Sequence, residues 1–500
     1  MSGFTHFHTV FSGADMTTIP GENATKPLLQ DHEGTSNDVE HGDWIGDKEK
    51  FSRTSCSPST TKLELLESFD DGPVGVLQSD AQTVLNIVNL YVGVGLLSLG
   101  YAFRLGGWIS LVVLTAVSYI FAHSAKLICW SFDKVPRSMV QSYPNLGTTA
   151  MGKLGHWMVM VMALAEFFGA SCMCLIIVWQ SIEMLLRSEI LCLGSMCLSS
   201  RHAVIIGSTV IMLPAIWIRT FSRLTSISFS GVMSSLLLTA VVVISCAADP
   251  NREAIHDTSS LFHESVNWEH LPIGAGILVV SLSGHAGLPS MRRSMKNPQN
   301  FEHCLNVAFT LMFLLYATMG SISYFYFGGA LKVLVTANLN EASGVTGFVL
   351  LSLGKLRITI NEAVTVLVAM SAYSTIPALI YVIAELIMDM IYGTTSSHQQ
   401  NRSPGAADLI ARTIVMGLAY MVAILAYNVL GSVESTVGGV CSVSVSLLLP
   451  SLFYYKLYKE ELSASKKAAV LGMCLFGVVC LVGIATINVL ELANIILVCE

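Results

Sequence analysis

The sequence carries little charge. Asp, Glu, Lys and Arg together make up 12% of its 500 residues, about half of the roughly 25% that is usual in soluble globular proteins. Hydrophobic residues make up 53%. Low charge combined with this much apolar content excludes one large soluble core and indicates a protein that crosses a membrane several times.

Catalytic and metal-binding patterns are also missing. The twelve cysteines form no paired CxxC pattern of the kind that binds zinc, and most lie in apolar runs, where cysteine acts as a small hydrophobic residue. No nucleophile–base motif predicts an enzyme, no cofactor is expected, and no basic patch interleaved with aromatics predicts a nucleic-acid partner. Cys192 and Cys197 share one loop, so a disulfide between them stays open and depends on the compartment which that loop faces.

Apolar residues are scarce near the amino terminus, where residues 1–72 are rich in Ser, Thr, Asp and Gly. Residues 1–80 carry five Lys or Arg against fourteen Asp or Glu, a net charge of −9. A segment of this composition cannot bury enough apolar surface to offset the entropy lost on ordering. We therefore expect residues 1–77 to form a disordered acidic tail and residues 78–492 to form the membrane domain.

Long apolar runs fill the rest of the chain. Each is close to the about 20 residues that an α-helix needs to span a bilayer. The sequence thus predicts an all-α integral membrane protein with eleven transmembrane helices. They are predicted at residues 81–103, 108–130, 154–186, 203–218, 225–247, 270–290, 304–328, 358–390, 407–428, 432–455 and 468–490.

The loops predict how these helices are oriented. If the acidic tail is cytosolic, the cytosolic loops and helix ends hold fourteen Lys or Arg and the opposite side holds seven. An excess of positive charge marks the cytosolic side. We therefore expect a cytosolic amino terminus and a carboxyl terminus that faces a lumen or the cell exterior, with Arg292, Arg293 and Lys296 forming a solvated cytosolic face.

Glycine is concentrated in the first predicted helix and just after it, in "NLYVGVGLLSLGYAFRLGGW" from Asn89 to Trp108. Glycine is a poor helix former, and Gly93 and Gly95 predict a break at membrane depth. A helix can break there only where its freed backbone groups meet a ligand, an ion or water. Close packing of two helices, which small residues permit, is the alternative explanation.

The sixth predicted helix is interrupted in a similar way, in "VVSLSGHAGLPSMRRSMKNPQNF" from Val279 to Phe301. Two broken helices five spans apart indicate a secondary transporter built from inverted repeats, with the binding site where the repeats meet. Helix amino termini present N–H groups to an anion, and freed carbonyls suit a cation. A site with both polarities favours a zwitterion such as an amino acid.

These two stretches, together with "LPAIWIRTFSRLTSIS" from Leu213 to Ser228, resemble the amino acid/auxin permease family over about residues 78–490. The resemblance is to its vacuolar amino acid transporter branch and to the vesicular inhibitory amino acid transporters. It implies a LeuT-like fold of two inverted five-helix repeats, and amino acid transport coupled to protons or, in some relatives, to sodium. It also favours a vacuolar or lysosomal membrane. One departure is Gly100, where the family usually has proline, which bears on how sharply the first helix bends.

Candidate substrate residues follow from the two interruptions. From the first helix, the backbone of Val92, Gly93, Val94, Gly95 and Leu96 is expected to contact the substrate. From the sixth, the expected residues are Ser281, Ser283, Gly284 and His285. Histidine titrates near neutral pH, so His285 is also a candidate for proton coupling, whereas a neutral histidine bonded to a freed carbonyl is the alternative.

Buried carboxylates are the other coupling candidates. An ionisable group inside a membrane span is costly and usually serves a transport pathway. Glu166, in "LAEFFGAS", resembles a glutamate often found in this span in relatives, and Glu434 is a second candidate. A proton acceptor or gate element is the favoured role for Glu166, and a structural hydrogen bond to another helix is the rival.

Asn89, Ser374 and Thr375 form a candidate ion site, because polar groups at similar positions bind the ion in sodium-coupled relatives. Oxygen ligands from two helices suit a hard cation, although the same three residues could instead hold the helices together. The sequence shows no dense cluster of carboxylates, which favours proton coupling.

The sequence as a whole predicts a secondary active transporter that moves amino acids by alternating access, with an amino acid, a proton or sodium, and membrane lipid as its partners. An amino-acid-sensing membrane receptor on a transporter fold is the alternative from another class.

Overall fold

The computed structural model describes residues 77–186, 190–193, 196–218, 220–248, 263–335, 338, 349–353, 356–392, 406–427 and 438–499. The predicted acidic tail, apart from Leu77, lies outside the described residues, and so does Glu434. Val94 is described in its backbone alone, as are the two loop cysteines, Cys192 and Cys197.

Helices dominate the described chain, and a helical segment covers part of each predicted apolar run. They are α1 Asp80–Gly106, α2 Ile109–Ser131, α3 Tyr143–Leu186, α4 Ser200–Ile216, α5 Phe221–Ala248, α6a Leu271–Ser281, α6b Leu288–Arg293, α7 Phe301–Phe327, α8 Ile360–Tyr392, α9 Ala406–Ala426, α10 Leu449–Tyr458 and α11 Ala464–Cys499. Two antiparallel hairpins, β1 Ile190–Leu193 with β2 Met196–Ser199 and β3 Val349–Leu353 with β4 Leu356–Thr359, precede α4 and α8.

Length and composition qualify most of these helices as membrane spans. Within the described residues, nine helices are long and apolar enough to cross a membrane, and the bent α1 makes ten. Helix α4, with 17 residues, is shorter. The prediction of an all-α, multi-span membrane protein is confirmed, while the count of eleven stays a prediction.

The side chains are sorted as a membrane protein requires. Helix α1 packs against α5, α6a, α7 and α8, and large side chains such as Phe103, Trp179 and Tyr316 are fully buried in the core. Large apolar side chains also cover the outside, with Leu425 on α9 83% exposed. In water such a surface would be a liability, whereas lipid solvates it.

The sixth span is interrupted where the sequence predicts. Helix α6a ends at Ser281, a 3-10 turn covers His285–Gly287, and α6b starts at Leu288. Between them Gly284 has φ 142°, a conformation open to glycine and strained for other residues. Gly284 therefore determines where the helix of the sixth span is interrupted.

The first span bends instead of unwinding. A capping box of Ser79 and Gln82 starts α1, and the axis turns by 52° between Asp80–Gly93 and Gly95–Gly106. The helix then runs on through Gly100. The predicted interruption thus takes the form of a sharp bend at Gly93 to Gly95, with helical backbone on both sides.

Candidate functional site

A cavity lies where the bend of α1 meets the break in the sixth span. Predicted site residues line it from four helices: Gly95, Glu166, Ser281, Ser283, Gly284 and Thr375. Apolar side chains complete the wall, among them Leu90, Phe167, Met173, Val280 and Leu379. The structure therefore brings together the two interruptions and one of the predicted coupling carboxylates around one space.

The cavity has the size of a small solute. It leaves about 60 Å³ for the centres of water molecules. This exceeds the minimum that a single water needs, so the space can hold a small molecule.

Glu166 is the charged residue of this cavity. Glu166 is 5% exposed. Neither carboxylate oxygen makes a hydrogen bond of ordinary length and angle in the described structure, and the nearby Ser442 hydroxyl is its one polar side-chain neighbour in the cavity wall that interacts with it. No Lys, Arg or His is found among the described residues of the cavity wall. An unpaired carboxylate in such a place is costly, and a proton or a substrate cation would remove that cost.

Tyr316 of α7 ties the bend to the break. Its hydroxyl lies 3.0 Å from the Tyr91 carbonyl oxygen on α1 and 2.8 Å from the Ser281 carbonyl oxygen on α6a, and its single proton is shared between these two acceptors. These two carbonyls would otherwise lose a partner where the helices distort. The Tyr316 side chain therefore provides a hydrogen-bond donor for backbone carbonyls that the sequence alone predicted to bind the substrate.

Gly95 allows a close approach between α1 and α6a. A Cβ atom added there would lie 2.7 Å from Cβ and Oγ of Ser281 and 2.9 Å from its Cα. Gly93 is similarly close to Thr375, at 2.6 Å from Oγ1. Both explanations considered for these glycines, backbone exposure at a site and tight packing, apply at Gly95, which also lines the cavity.

His285 lies behind the cavity wall. It is fully buried, with Nε2 3.0 Å from the Phe121 carbonyl oxygen and Nδ1 3.2 Å from the Tyr91 hydroxyl. Because a carbonyl only accepts, Nε2 carries a proton, and the neutral ring accepts the Tyr91 hydroxyl at Nδ1. This geometry supports the alternative of a neutral histidine bonded to a carbonyl, and direct contact between His285 and substrate stays a prediction.

The segment before α10 contacts the break in the sixth span. Residues Gly438–Ser442 and Ser444–Leu448 form π-helical turns, which frequently occur at functional sites. Ser442 lines the cavity. Ser446 Oγ accepts the N–H groups of Gly284 at 3.3 Å and His285 at 3.4 Å, so a substrate could bind these amides only after Ser446 moves.

Several of these residues escape sequence reasoning. Tyr91, Tyr316 and Ser446 act through partners 35 to 225 positions away, and no local pattern marks them. Ser442 and Ser446 do belong to a serine-rich apolar run, "CSVSVSLL", which is unusual for a lipid-facing helix. Val92 and Leu96 are buried but do not line the cavity.

At the predicted cytosolic end, Arg293 is not the solvated residue that the sequence suggested. Its guanidinium forms an ion pair with Glu385 of α8 and donates to the Gln141 carbonyl oxygen at 2.6 Å. Both side chains of the pair are about one fifth exposed, 21% and 19%. Arg293 therefore joins α6b to α8, although the sequence predicted it to face solvent with its charged neighbours.

Comparisons with known proteins agree with this architecture. The profile of the family described as "transmembrane amino acid transporter protein" matches residues 78–492. Amino acid transporter AVT1B of Arabidopsis thaliana is 26% identical over 456 residues, which cover 91% of this chain and 76% of the relative. Amino acid transporter AVT1H of the same plant is 26% identical over 406 residues, covering 80% and 87%.

A solved structure shares the fold. The crystal structure of MhsT in complex with L-phenylalanine aligns with 82% of this chain and 99% of its own, with a TM-score of 0.54 and 15% identity. The LeuT-like fold that the sequence resemblance implied is therefore confirmed. With a family match that covers most of its length, the chain belongs to the transmembrane amino acid transporter protein family and is a multi-pass membrane protein that transports amino acids.

Proposed function

We propose that this chain moves a small amino acid by alternating access, driven by protons, with Glu166 as the coupling group. The observation that carries the proposal is the buried Glu166 carboxylate, which has no cationic partner among the described residues of the cavity wall. An internal charge without a partner is rare unless a pathway uses it. Proton binding would neutralise it, and the second coupling candidate, Glu434, lies outside the described residues.

The cavity suits a zwitterion of limited size. Gly95, Ser281, Ser283 and Gly284 line it at the bend and the break. The two serine hydroxyl oxygens can accept from an ammonium group, and the Gly284 amide becomes available to a carboxylate when Ser446 moves. The apolar wall, with Phe167, accommodates a short side chain. Val92, Leu96 and His285, which are buried but do not line the cavity, then support that surface from behind.

Alternating access requires one end of the site to be closed at a time. At the predicted cytosolic end, contacts made by Gln78 and Arg293, here called the latch, provide this closure. Gln78, just before α1, donates its N–H to the Ser294 carbonyl at 2.7 Å and accepts the Lys296 N–H at 2.9 Å. Arg293 then links this unit to Glu385 on α8. We infer that these contacts break when the transporter opens to the cytosol.

The orientation of the chain in the membrane and the identity of that membrane are part of the same proposal. The excess of Lys and Arg on one side supports a cytosolic amino terminus. The resemblance to vacuolar transporters supports a vacuolar or lysosomal membrane, whose acidic lumen would supply the proton gradient.

Transport by the purified full chain in liposomes tests the function directly. We expect labelled small amino acids to accumulate when a pH gradient is imposed, and to exchange across the membrane when unlabelled amino acid is placed on both sides. A gradient of one pH unit is worth about 1.4 kcal/mol per proton, which supports about tenfold accumulation. Binding without exchange would favour the sensor alternative and contradict transport.

Replacing Arg293 with glutamine should loosen the latch. Loss of the ion pair with Glu385 should shift the population toward the cytosol-open state by about 1–2 kcal/mol, or five- to thirtyfold. Cys174, a free cysteine in the cavity wall, should then react faster with an impermeant thiol reagent added from the cytosolic side. Mass spectrometry in a Cys172→Ser background measures this reaction.

Arg292→Gln is the matched control, because Arg292 donates to Gln141 Oε1 while the ion pair with Glu385 is made by Arg293. Its Cys174 reactivity should stay near that of the wild type. The exchanged pair Arg293→Glu with Glu385→Arg should restore the slow reaction. Equal reactivity in the wild type and Arg293→Gln would remove the latch from the mechanism.

A further inference from the structure

A buried polar cluster without formal charge joins three helices next to the bend of α1. It consists of Asn89 on α1, Ser228 on α5, and Ser371, Ser374 and Thr375 on α8, all of them almost fully buried. Oxygen atoms gathered from several helices in this way are what a hard cation such as sodium binds. The hydrogen bonds of Asn89, Ser374 and Thr375 indicate whether the centre of this cluster suits an ion or is filled by the Asn89 side chain.

The orientation of the Asn89 amide is fixed by its neighbours. Its Nδ2 lies 3.0 Å from the Ser374 carbonyl oxygen, which can only accept, so the atom beside it must be the donor. Its Oδ1 lies 2.8 Å from the Ser374 hydroxyl, whose single proton is shared with the Ser371 carbonyl oxygen, also at 2.8 Å. The second N–H of Nδ2 points to Ser228 Oγ at 3.4 Å.

The remaining oxygens of the cluster are also engaged. The Thr375 hydroxyl lies 3.1 Å from the carbonyl oxygens of both Asn89 and Ser371. Gly231 of α5 covers the pair: a Cβ atom added there would lie 1.9 Å from Ser374 Oγ and 2.1 Å from Asn89 Oδ1. The backbone of α5 thus fills the space beside the amide.

A cation in this cluster would face the positive end of the amide dipole. No carboxylate hydrogen-bonds to the cluster within the described part of the chain, so a cation there would have only neutral oxygen ligands, and these already take part in hydrogen bonds. Burying an unpaired ion costs several kcal/mol. The N–H groups of Asn89 already supply the partial positive charge that the surrounding oxygens require.

We propose that the Asn89 side chain takes the place of a coupling cation and clamps α1 to α5 and α8, which makes this transporter independent of sodium. The clamp lies one helical turn before Gly93 and therefore anchors the amino-terminal half of α1 at its bend. This assignment deepens the proposed proton-driven function, because it leaves Glu166 to carry the coupling.

Thermal stability of the purified full chain tests the clamp without any transport. An ion that binds the folded state raises Tm by mass action, so Tm is compared in equal concentrations of sodium chloride and choline chloride. The wild type should unfold at the same temperature in both salts. Asn89→Asp, which turns the central donor into an acceptor, should gain a sodium-specific rise of a few degrees.

Asn86→Asp is the matched control, because Asn86 is a buried amide one turn earlier on α1 that bonds to Gln78, Phe221 and Thr225. It should show no sodium-specific rise. A higher Tm of the wild type in sodium than in choline would overturn the proposal, and that comparison holds even if both variants fail to fold. A folded Asn89→Asp variant indifferent to sodium would also overturn it.

Liposome uptake separates this proposal from the proposed function. At a fixed pH gradient, replacing sodium with choline should change the initial uptake rate by less than about twofold, within the spread of replicate measurements. A rate that collapses without sodium would overturn the clamp and leave amino acid transport standing. Failure of all uptake would overturn the proposed function, while the Tm comparison would still judge the clamp.

Discussion

Replacing Glu166 with glutamine should abolish amino acid accumulation driven by a pH gradient while preserving exchange of labelled for unlabelled substrate. Glutamine keeps the shape of the side chain but cannot bind or release a proton, so the gradient loses its connection to the substrate site. About tenfold accumulation per pH unit should fall to equilibration. Uptake and exchange in the same batch of liposomes measure the two properties separately.

Glu302→Gln is the control for this substitution. Glu302 lies on α7, is 46% exposed and contacts Lys126 and Trp130 away from the cavity, so accumulation should be unchanged. Accumulation at the wild-type level in Glu166→Gln would exclude Glu166 as the coupling group. Loss of both exchange and accumulation would assign it to substrate binding, which also contradicts the coupling role.

The sequence predicts Glu166 and the break in the sixth span because both signals are local. A single charge inside an apolar run is visible without any fold, and Gly284 and Pro289 interrupt a helix through backbone chemistry alone. These features depend on a few neighbouring residues, which is why the structure places them as expected.

The bend of α1 shows where local reasoning ends. Gly93 and Gly95 weaken the helix, but its final form depends on hydroxyl groups of Tyr316 and Thr375 that arrive from α7 and α8. Those donors satisfy carbonyls that would otherwise need a ligand, so the helix can bend and stay helical. The Arg293–Glu385 pair is not predicted by the sequence for the same reason, because its members are 92 residues apart.

Replacing Gly95 with alanine should reduce amino acid uptake at least about tenfold, an effect of about 1.4 kcal/mol. The added Cβ would lie 2.7 Å from Cβ of Ser281 and 2.9 Å from its Cα, and real Cβ atoms essentially never show such contacts. The Cα of Ser281 cannot move without shifting α6a. Both walls of the substrate cavity would therefore separate, and leucine at the same position should abolish uptake.

Gly472→Ala on α11 is the matched control, because a Cβ atom added there meets nothing within 4 Å. Its uptake should equal that of the wild type. Overpacking costs about 1–3 kcal/mol, so Gly95→Ala protein should still reach the membrane, and its amount there is measured alongside uptake. Normal uptake by Gly95→Ala would mean that the close contact between α1 and α6a is packing that the substrate site does not need.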